Sequence, residues 1–341
     1  MTRPPKVNID WIARQAGVSK STVSRVLNGG SVSPTLQERI QTLIRTSGFR
    51  PSLSARNFSK GRTGCIGLVV PTFLDAWLPQ ILQGVEEETN RHQLSLLLGS
   101  LGEETAFHPE VVKDWIEQRR VDGLIFASSG KRELPLIQEA QKAGLGLVFI
   151  TGNQSEGISR IIRCDNLEGG RQAAQHLLAF GHKRFAFVGG TLEDLDAVER
   201  LEGFQSVLRA AGIKKDALEV QATGWRSING ESAAKQWLAR RKANGPTGFF
   251  CANDSAALGF LRVVLQAGLR VPQDVSVVGF DDVPTAQVFW PGLTTVRQDM
   301  RVMGAAAVRA LVEQVETPGP KPTILYPGEL VVRESSGPAP G

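Results

Sequence analysis

The sequence predicts a small all-α domain of three helices, followed by a two-lobed α/β domain with doubly wound parallel sheets. Short capped helices occupy the first fifty residues, and apolar strands alternate with amphipathic helices from Cys65 onward. A chain of 341 residues is also too long to fold around a single hydrophobic core of ordinary size. We divide it into a head at 1–50, a connecting segment at 51–62, a two-lobed domain at 63–336, and a Pro/Gly-rich tail at 337–341 that we expect to be disordered.

Composition limits the classes of protein to which the chain can belong. Hydrophobic residues make up 41% and charged residues 21% of the chain, as in a soluble globular protein. The longest apolar runs, such as 123–127 and 144–150, are too short to cross a bilayer. We see no signal peptide and therefore expect a cytoplasmic protein. The three cysteines lack metal-ligand spacing, so we expect reduced thiols and no metal.

Positive charge is concentrated near the N-terminus. Residues 1–62 contain eleven Lys or Arg and two acidic residues, a net charge of +9, and since the whole chain carries +5 the remainder carries −4. A basic module on a mildly acidic body is suited to binding a polyanion such as DNA, because phosphate contacts supply most non-specific affinity. The alternative, a basic terminus that is merely solvated, is weakened because the charge coincides with a helical motif.

Local signals predict the three helices of the head. The predicted cap residues are Asn8, Ser19 and Ser33 (followed by Pro34 at the first helical position), and the predicted stops are Gly17 and Gly48. Apolar residues at 9, 12, 13 and 16 give the first helix one buried stripe, and Val23, Val26 and Leu27 face inward from the second.

The second helix leaves its polar side chains outside. They belong to Lys20, Ser21, Thr22, Ser24, Arg25 and Asn28, with Ser19 at the cap. A short helix with this surface fits the major groove of DNA, and three such helices form a minimal helix-turn-helix domain. Thr22 and Ser24 have the length to reach phosphate oxygens, whereas Arg25 is suited to reading guanine.

The connecting segment is short and basic. Its Leu53 and Phe58 are large apolar groups among cations such as Arg56. A flexible linker has no need of Phe58. We expect a hinge helix that orders on DNA and inserts Phe58 into the minor groove, the alternative being simple packing of Phe58 on a neighbouring element.

The head and connecting segment resemble those of the LacI/GalR family of bacterial transcription regulators. The resemblance is carried by the run Ala-Gly-Val-Ser, then Thr-Val-Ser-Arg-Val-Leu-Asn, within residues 16–28. It implies that Lys20, Ser21 and Arg25 read bases. It also implies that Phe58 stands where the family usually has an intercalating leucine, a departure that can alter operator spacing or the preferred central base step.

The rest of the chain repeats a strand–helix rhythm. The predicted strands are 66–70, 95–98, 123–127, 147–150, 184–188, 248–251 and 275–280, and the predicted helices include 78–91, 133–143, 170–180 and 256–267. This rhythm requires parallel sheets covered by helices on both faces, and its length fits two lobes. Ligands of such sheets bind beyond the carboxyl ends of the strands, so two facing lobes would enclose a cleft.

Polar and aromatic side chains near those strand ends are the candidate ligand site. The candidates are Phe73, Asp75, Ser129, Thr151, Asp196, Arg200, Trp225, Asn253 and Asp281. Carboxylates and amides pair with vicinal hydroxyls, arginine is a forked donor, and an aromatic face covers the C–H side of a ring. The set therefore predicts a polyhydroxylated small molecule such as a sugar, a sugar acid or a related polyol.

Structural roles compete with several of these assignments. Arg200 could be an ion-pair partner within the fold. Asp281 and Asp282 are adjacent, so we expect Asp281 to face the ligand and Asp282 to cap a helix. Asp165 is expected to cap the helix that follows it, and His182 to satisfy a helix C-terminus rather than to bind metal.

The resemblance extends over this region, which is similar to the family's effector domain and to periplasmic sugar-binding proteins. It implies that Arg200, Asn253 and Asp281 contact the effector, that Trp225 forms an aromatic wall, and that Thr151 replaces an acid of some relatives. It further implies chain crossings between the lobes near residues 162, 291 and 325.

The sequence bears on three classes of function. A solute-binding transport protein conflicts with the basic head. An enzyme is unsupported, because neither a nucleotide-binding fingerprint nor a catalytic constellation is present. We therefore expect no cofactor and no catalysis. The expectation is a ligand-responsive, sequence-specific transcription regulator, a repressor in the first instance, which binds operator DNA as a homodimer. The tail has no leucine heptads for further assembly.

Overall fold

The computed structural model describes residues 7–27, 30–49, 61–102, 107–127, 131–151, 160–241, 244–319 and 321–341. The chain forms two compact units, Met1–Gly64 and Cys65–Gly341. The division falls two residues beyond the boundary expected after residue 62.

The described part of the first unit contains three helices, as predicted. They are α1 (Ile9–Ala16), α2 (Lys20–Leu27) and α3 (Pro34–Ser47). The Asn8 side chain accepts a hydrogen bond from the Trp11 N–H at 2.9 Å, and Gly17 ends α1 in the left-handed conformation (φ 62°). Ser33 stands at the N-cap of α3, but its side chain makes no capping bond, so Pro34 carries that helix start.

A small apolar core joins the three helices. Ile12, Val23 and Ile40 come from α1, α2 and α3 respectively, and each is fully buried. Each helix contributes one apolar stripe, as the spacing of the sequence predicts.

The second unit alternates strands with helices. Its strands are β1 (Cys65–Val70), β2 (Ser95–Ser100), β3 (Gly123–Ala127), β4 (Gly146–Ile150), β5 (Ile161–Cys164), β6 (Phe185–Val188), β7 (Leu218–Gln221), β8 (Gly248–Cys251), β9 (Ser276–Asp281), β10 (Thr294–Arg297), β11 (Ile324–Tyr326) and β12 (Glu329–Val331). Its α-helices are α4 (Leu78–Arg91), α5 (Glu110–Glu117), α6 (Leu134–Lys142), α7 (Asn166–Ala179), α8 (Leu195–Ala210), α9 (Ser227–Ala239), α10 (Asp254–Gln266), α11 (Pro284–Val288) and α12 (Met300–Glu316). Short 3₁₀ turns span Lys131–Glu133 and Lys215–Ala217.

The strands form two six-stranded sheets, one in each lobe. Lobe 1 has the strand order β11-β5-β4-β3-β1-β2, and lobe 2 has the order β12-β10-β9-β8-β6-β7. Among the described residues, the pairings of these strands are parallel except that between β12 and β10. The fold prediction of a helical head and a two-lobed α/β domain is therefore confirmed.

The chain passes between the lobes three times. The passages lie between β5 and α7, between β10 and α12, and between β11 and β12, at residues 165, 298–299 and 327–328. The first and third fall within three residues of the expected positions. The second falls about seven residues later than expected, because strand β10 was not predicted.

Close helix packing fixes the position of α8 on lobe 2. Helices α7 and α8 meet through two glycines, Gly170 and Gly203. A Cβ at 170 would lie 2.1 Å from the carbonyl oxygen of Arg200, and a Cβ at 203 would lie 2.0 Å from that of Leu167. Only glycine allows this approach, which holds the backbone of Arg200 against α7.

The tail is ordered in the structure, so the expectation of disorder at 337–341 is wrong for its first residues. The Gly337 N–H donates to Ser276 Oγ at 3.0 Å, and the Ala339 N–H donates to the Phe180 carbonyl at 2.8 Å. His182 Nε2 lies 3.2 Å from the Gly337 oxygen, and its Nδ1 lies 2.8 Å from Thr247 Oγ1. These bonds attach the tail to lobe 2, and burial lowers the pKa of His182.

Within the residues that the structure describes, no helix combines the length and the apolar character needed to cross a membrane. The same residues bring together no group of three or more His, Cys, Asp or Glu that could hold a metal ion. Cys65, Cys164 and Cys251 are free thiols.

Candidate nucleic-acid interface and ligand cleft

Helix α2 begins with a small network of hydroxyl groups. Ser19 Oγ accepts a hydrogen bond from the Thr22 N–H at 3.2 Å, so Ser19 caps α2 as predicted. Ser19 Oγ also lies 2.7 Å from Ser21 Oγ and 2.9 Å from Thr22 Oγ1. The three hydroxyls are therefore oriented by one another at the N-terminal end of the helix.

The outward face of α2 carries exposed polar side chains. Lys20, Ser21 and Arg25 are exposed, whereas Val23 is fully buried. Thr22 and Ser24 are half-buried. Lys20 forms an ion pair with Asp10 of α1, which links the start of α2 to the preceding helix. The exposed residues belong to the face of α2 that the sequence predicts to point outward. Contacts of this face with bases or phosphates stay predictions.

Three residues predicted to contact DNA, Asn28, Arg56 and Phe58, lie outside the described residues. The predicted effector residue Ser129 also lies outside them.

Arg200 is the centre of a buried polar cluster in lobe 2. Its Nε donates to Asn166 Oδ1 at 2.8 Å, and its Nη1 donates to the Ala252 carbonyl at 2.5 Å. The guanidinium lies 3.7 Å from the centre of the Phe280 ring, a cation–π contact. Arg200 is thus engaged in contacts within the fold, as expected of a structural ion-pair partner, and it lies against the ends of β8 and β9.

Asp281 ends strand β9 beside Arg200. Its Oδ1 is 3.8 Å from Arg200 Nη1 and accepts a hydrogen bond from Gln298 Nε2 at 2.5 Å. Its backbone has φ 122°, a left-handed conformation that strains a residue with a side chain. Burial raises the pKa of Asp281 to about 6 despite the nearby guanidinium.

The adjacent Asp282 has another role than the one predicted. It accepts hydrogen bonds from Arg297 Nε at 2.8 Å and from Arg333 Nη2 at 2.6 Å. The expectation that Asp282 caps a helix is wrong, because the N-cap of α11 is Val283. Asp165, by contrast, does cap α7 through a 2.9 Å bond from the Glu168 N–H, as predicted.

Asp196 belongs to a network of buried charges. Its Oδ1 accepts from Arg163 Nη2 at 2.9 Å and from Asn166 Nδ2 at 2.7 Å. Arg163 also donates to Glu199, with a shortest bond of 2.7 Å. Since Asn166 bonds to both Asp196 and Arg200, the network fixes the side chain of Arg200. An effector contact by Asp196 stays a prediction.

Asn253 is also engaged within the protein. Its Oδ1 accepts from the Ala256 N–H at 2.9 Å and so caps α10, and its Nδ2 donates to the Trp225 carbonyl at 2.9 Å. The Trp225 ring is half-buried and lies 5.5 Å from the Arg200 guanidinium. Asn253 thus positions Trp225 beside the cluster.

Lobe 1 approaches the same cluster through the loop after β1. Trp77 packs against the apolar cores of both lobes, and Gln80 Nε2 donates to the Asp282 carbonyl at 3.3 Å. Asp75 lies on this loop, close enough to Asp281 for its charge to raise the pKa of the Asp281 carboxyl. Phe73 is 53% exposed on the same loop. Thr151 follows β4 with φ 62° and is half-buried.

The structure therefore brings Asp75, Arg200, Trp225, Asn253 and Asp281 together at one end of the two sheets. Asp194 and Gln298 also belong to this cluster and were not predicted. The Trp225 indole bonds to the Asp194 carboxylate, and burial raises the pKa of that carboxylate. Asp194 stands two residues before Asp196 and could have been noticed, whereas Gln298 follows a strand that the sequence did not predict.

Comparison with known families gives two matches along the chain. Residues 8–52 match the family described as bacterial regulatory proteins of the lacI family. Residues 174–336 match the family described as a periplasmic binding protein-like domain.

Curated relatives match over nearly the whole chain. The HTH-type transcriptional regulator CelR of Thermobifida fusca is 33% identical over 98% of this chain and 100% of its own. The HTH-type transcriptional regulator MalR of Streptomyces coelicolor is 32% identical over 97% of this chain and 96% of its own.

Solved structures give the same result. A complex of the transcriptional regulator CelR with cellobiose has a TM-score of 0.72, with 31% identity over 98% of this chain and 100% of that one. A lac repressor dimer bound to operator and an anti-inducer has a TM-score of 0.79, with 26% identity over 97% of this chain and 99% of that one. The likeness covers the helical head and both lobes.

Proposed function

The chain belongs to the LacI family of bacterial regulatory proteins, and on that premise we propose that it represses transcription of carbohydrate-related genes under the control of a sugar-like effector. One observation carries the proposal. A helix with an outward face of Lys20, Ser21 and Arg25 lies in one compact unit, and a buried polar cluster around Arg200 lies in another. The first arrangement suits DNA, and the second suits a small polar ligand.

The DNA-reading role falls to α2 in this proposal. Arg25 is exposed and long enough for a bidentate contact with guanine, which is the commonest specific base contact. Ser21 and Lys20 would read neighbouring bases, and Thr22 and Ser24 would contact phosphates. Binding as a homodimer on a roughly palindromic site is proposed because one head reads only a few base pairs.

The effector role falls to the cluster between the lobes. Its carboxylates and amides are the groups that bind vicinal hydroxyls, and Trp225 offers an aromatic wall. The related CelR structure holds cellobiose, and that of a LacI family regulator from Enterococcus faecium holds ribose, which favours a carbohydrate here as well. An effector that prefers one arrangement of the lobes would change the population of the DNA-binding state.

Binding without chemical conversion completes the proposal. The relatives are transcription regulators, and we propose that this chain likewise releases its effector unchanged and acts in the cytoplasm, where the DNA is. Turnover of a sugar by the purified protein would contradict this part.

The test is a measurement of DNA affinity with and without sugars. An operator is first selected from random DNA with the full-length protein. Fluorescence anisotropy then gives Kd on that operator and on random DNA, alone and with a panel of mono- and disaccharides. We expect a preference for operator of at least a thousandfold and a change of at least tenfold with one sugar. A chain that binds all DNA equally, or a sugar response that is absent across the panel, would refute the proposal.

A further inference from the structure

Positive charge is concentrated at the end of lobe 2 that lies opposite the cluster between the lobes. Four turns lead into strands there: 183–184 before β6, 214–216 before β7, 240–241 before β8 and 270–274 before β9. Together they contain seven Lys or Arg and two acidic residues, a net charge of +5. Since residues 63–341 carry −4 as a whole, the rest of that region carries −9. We call the cations of these four turns the basic row.

The strand order of the sheet makes the basic row continuous. Strands β9, β8, β6 and β7 are consecutive neighbours and run parallel, so their amino ends lie side by side. The Arg184 carbonyl accepts a hydrogen bond from the Thr247 N–H at 3.1 Å, which joins the turn before β6 to the start of β8. Hydrogen bonds from Arg270, and more weakly the charge of Arg241, lower the pKa of Asp274 to about 2. The turns before β8 and β9 are therefore also close together.

The cations of the basic row are available to an anionic partner. Within the part of the chain that the structure describes, the ion pair of Arg270 with Asp274 at 2.7 Å is the only one in the row. Six of the seven side chains are exposed, and Arg184 is half-buried. The Arg241 guanidinium lies 5.3 Å from the centre of the Trp237 ring, a contact that orients the side chain and leaves its N–H donors for a partner.

The composition of the row favours a nucleic acid over a protein or a membrane as its partner. None of the large hydrophobic side chains that are exposed among the described residues belongs to the row. Protein interfaces have an apolar, often aromatic centre and are poor in lysine, and helices that bind membrane surfaces insert apolar side chains beside their basic ones. Trp290 is 79% exposed and shares a groove with Pro272 at the β9 end of the row, but the turns before β6, β7 and β8 do not line that groove. A stripe of Lys and Arg without apolar neighbours is typical of contacts with phosphates.

The length of the row matches a stretch of DNA backbone. Three spacings of about 4.8 Å between neighbouring strands give a row about 14 Å long. One strand of a DNA duplex carries a phosphate about every 3.4 Å along the helix axis, so about four phosphates lie within this length. The cations outside the Arg270 ion pair are sufficient in number to neutralise them.

We propose that the basic row is a second DNA-binding surface, which contacts the phosphate backbone of double-stranded DNA outside the operator and does not read its sequence. The proposal goes beyond the function proposed above, in which DNA contacts belong to α2. With about four phosphates contacted, Kd at 50 mM salt is on the order of 10–100 μM, and affinity falls about a hundredfold by 200 mM salt. A regulator bound at its operator would thereby hold a further stretch of DNA.

The test is DNA capture by the full-length protein while its heads are occupied. The protein is saturated with a short unlabelled operator duplex, and a longer fluorescent duplex without the operator is added. Fluorescence anisotropy then gives the Kd of the second duplex over a range of salt from about 50 to 200 mM. We expect the wild-type protein to bind this duplex with the affinity and the salt dependence given above.

A triple variant removes three exposed cations of the row, with the substitutions Lys183→Gln, Lys214→Gln and Lys215→Gln. It should weaken capture of the second duplex at least about tenfold at 50 mM salt, because each lost phosphate contact lowers the slope of log K against log salt by about 0.9. Its affinity for the operator duplex and its Tm should stay at the wild-type values.

A matched control changes the net charge of the chain by the same amount at scattered positions. It carries Lys113→Gln in α5, Lys142→Gln in α6 and Lys235→Gln in α9. Because these residues lie outside the basic row, the control should capture the second duplex as the wild-type protein does.

Several results would overturn the proposal. Absence of capture by the wild-type protein at low salt, or full capture by the row variant, would show that the row does not bind DNA. An equal loss in the row variant and the control would make capture an effect of overall charge. Tighter binding of the row to polyglutamate, or to vesicles of equal parts phosphatidylglycerol and phosphatidylcholine, would assign it to an acidic protein or a membrane. Operator affinity is measured separately, so each of these results leaves the proposed function standing.

Discussion

Replacing Asp281 by asparagine is expected to stabilise the folded chain at neutral pH and to leave its stability near pH 4 almost unchanged. Asp281 is 4% exposed, and burial raises the pKa of its carboxyl from an ordinary 3.8 to about 6. The ionised side chain therefore destabilises the fold, even though Arg200 lies 3.8 Å away and Gln298 donates a hydrogen bond to it.

The sign follows from the two pKa values. Well below pH 3.8 the carboxyl is protonated in both states and contributes no difference in stability. Between pH 4 and pH 6 the unfolded chain loses the proton while the folded chain keeps it, so stability falls as pH rises. Above pH 6 the full penalty is present, about 3 kcal/mol for a shift of roughly two pKa units.

Asparagine cannot ionise and keeps an oxygen for the Gln298 amide. The free energy of unfolding at pH 7.5 is therefore expected to rise by about 1–3 kcal/mol. The lower values apply if the loss of the ion pair with Arg200 offsets part of the gain. In a unit of this size the gain corresponds to several degrees in Tm. At pH 4.5 the gain should be much smaller.

Differential scanning calorimetry of the full chain at pH 7.5 and pH 4.5 measures both values. Asp282→Asn is the matched control one residue away, because Asp282 pairs with Arg297 at 2.8 Å and Arg333 at 2.6 Å. This variant should lower Tm at pH 7.5. A lower Tm for Asp281→Asn at pH 7.5, or an equal shift at both pH values, would refute the reasoning.

Four further outcomes are expected. Arg25→Ala should relax base preference and weaken binding to operator by about 1–3 kcal/mol, whereas Thr22→Ala should weaken binding evenly over a panel of operator variants. If both variants lost affinity evenly over the panel, the assignment of α2 as the recognition helix would be wrong. Phe58→Ala should weaken binding to operator far more than to random DNA, as paired isotherms would test, and an equal loss on both would reduce Phe58 to a packing residue. Gly170→Ala should lower the free energy of unfolding, measured by urea denaturation, by at least about 2 kcal/mol, because the new Cβ would lie 2.1 Å from a carbonyl oxygen. A decrease of less than about 0.5 kcal/mol would contradict the close contact between the two helices. His182→Ala should lower Tm and speed proteolysis of the tail, and a tail cleaved at the wild-type rate would show that His182 does not hold it.

The head could be predicted closely because its signals are local. Asn8, Gly17 and Ser19 act on backbone groups within four residues, and each does so as expected. The central strands of both sheets, such as β3 and β8, are fully buried and appear in the sequence as continuous apolar runs.

The strands at or near the sheet edges could not be predicted in the same way. Strands β5, β7 and β10 are only four residues long and include Arg163, Gln221 and Arg297, so no apolar run marks them. Each is fixed by pairing with neighbouring strands, as β10 is with β9 and β12. The tail was misjudged because its Gly/Pro composition is typical of disorder, while its bonds to Ser276 and Phe180 are long-range.

The sequence predicted several residues of the cluster between the lobes, but it did not predict the hydrogen-bond partners of those residues. Strand ends indicated Asp281, because ligands of parallel sheets lie there. The resemblance to the LacI/GalR family indicated Arg200, which lies within helix α8. The partners Asn166, Ala252 and Gln298 come from three different segments, and only the folded chain brings them to Arg200 and Asp281.

The three passages between the lobes have a consequence for how the protein is made on the ribosome. Lobe 1 begins first, with β1 to β5, yet its helix α12 and edge strand β11 are synthesised only after β6 to β10 of lobe 2. Met303 and Leu311 of α12 are fully buried in the core of lobe 1. The lobe that starts first must therefore wait, with that face uncovered, until nearly the whole chain has emerged.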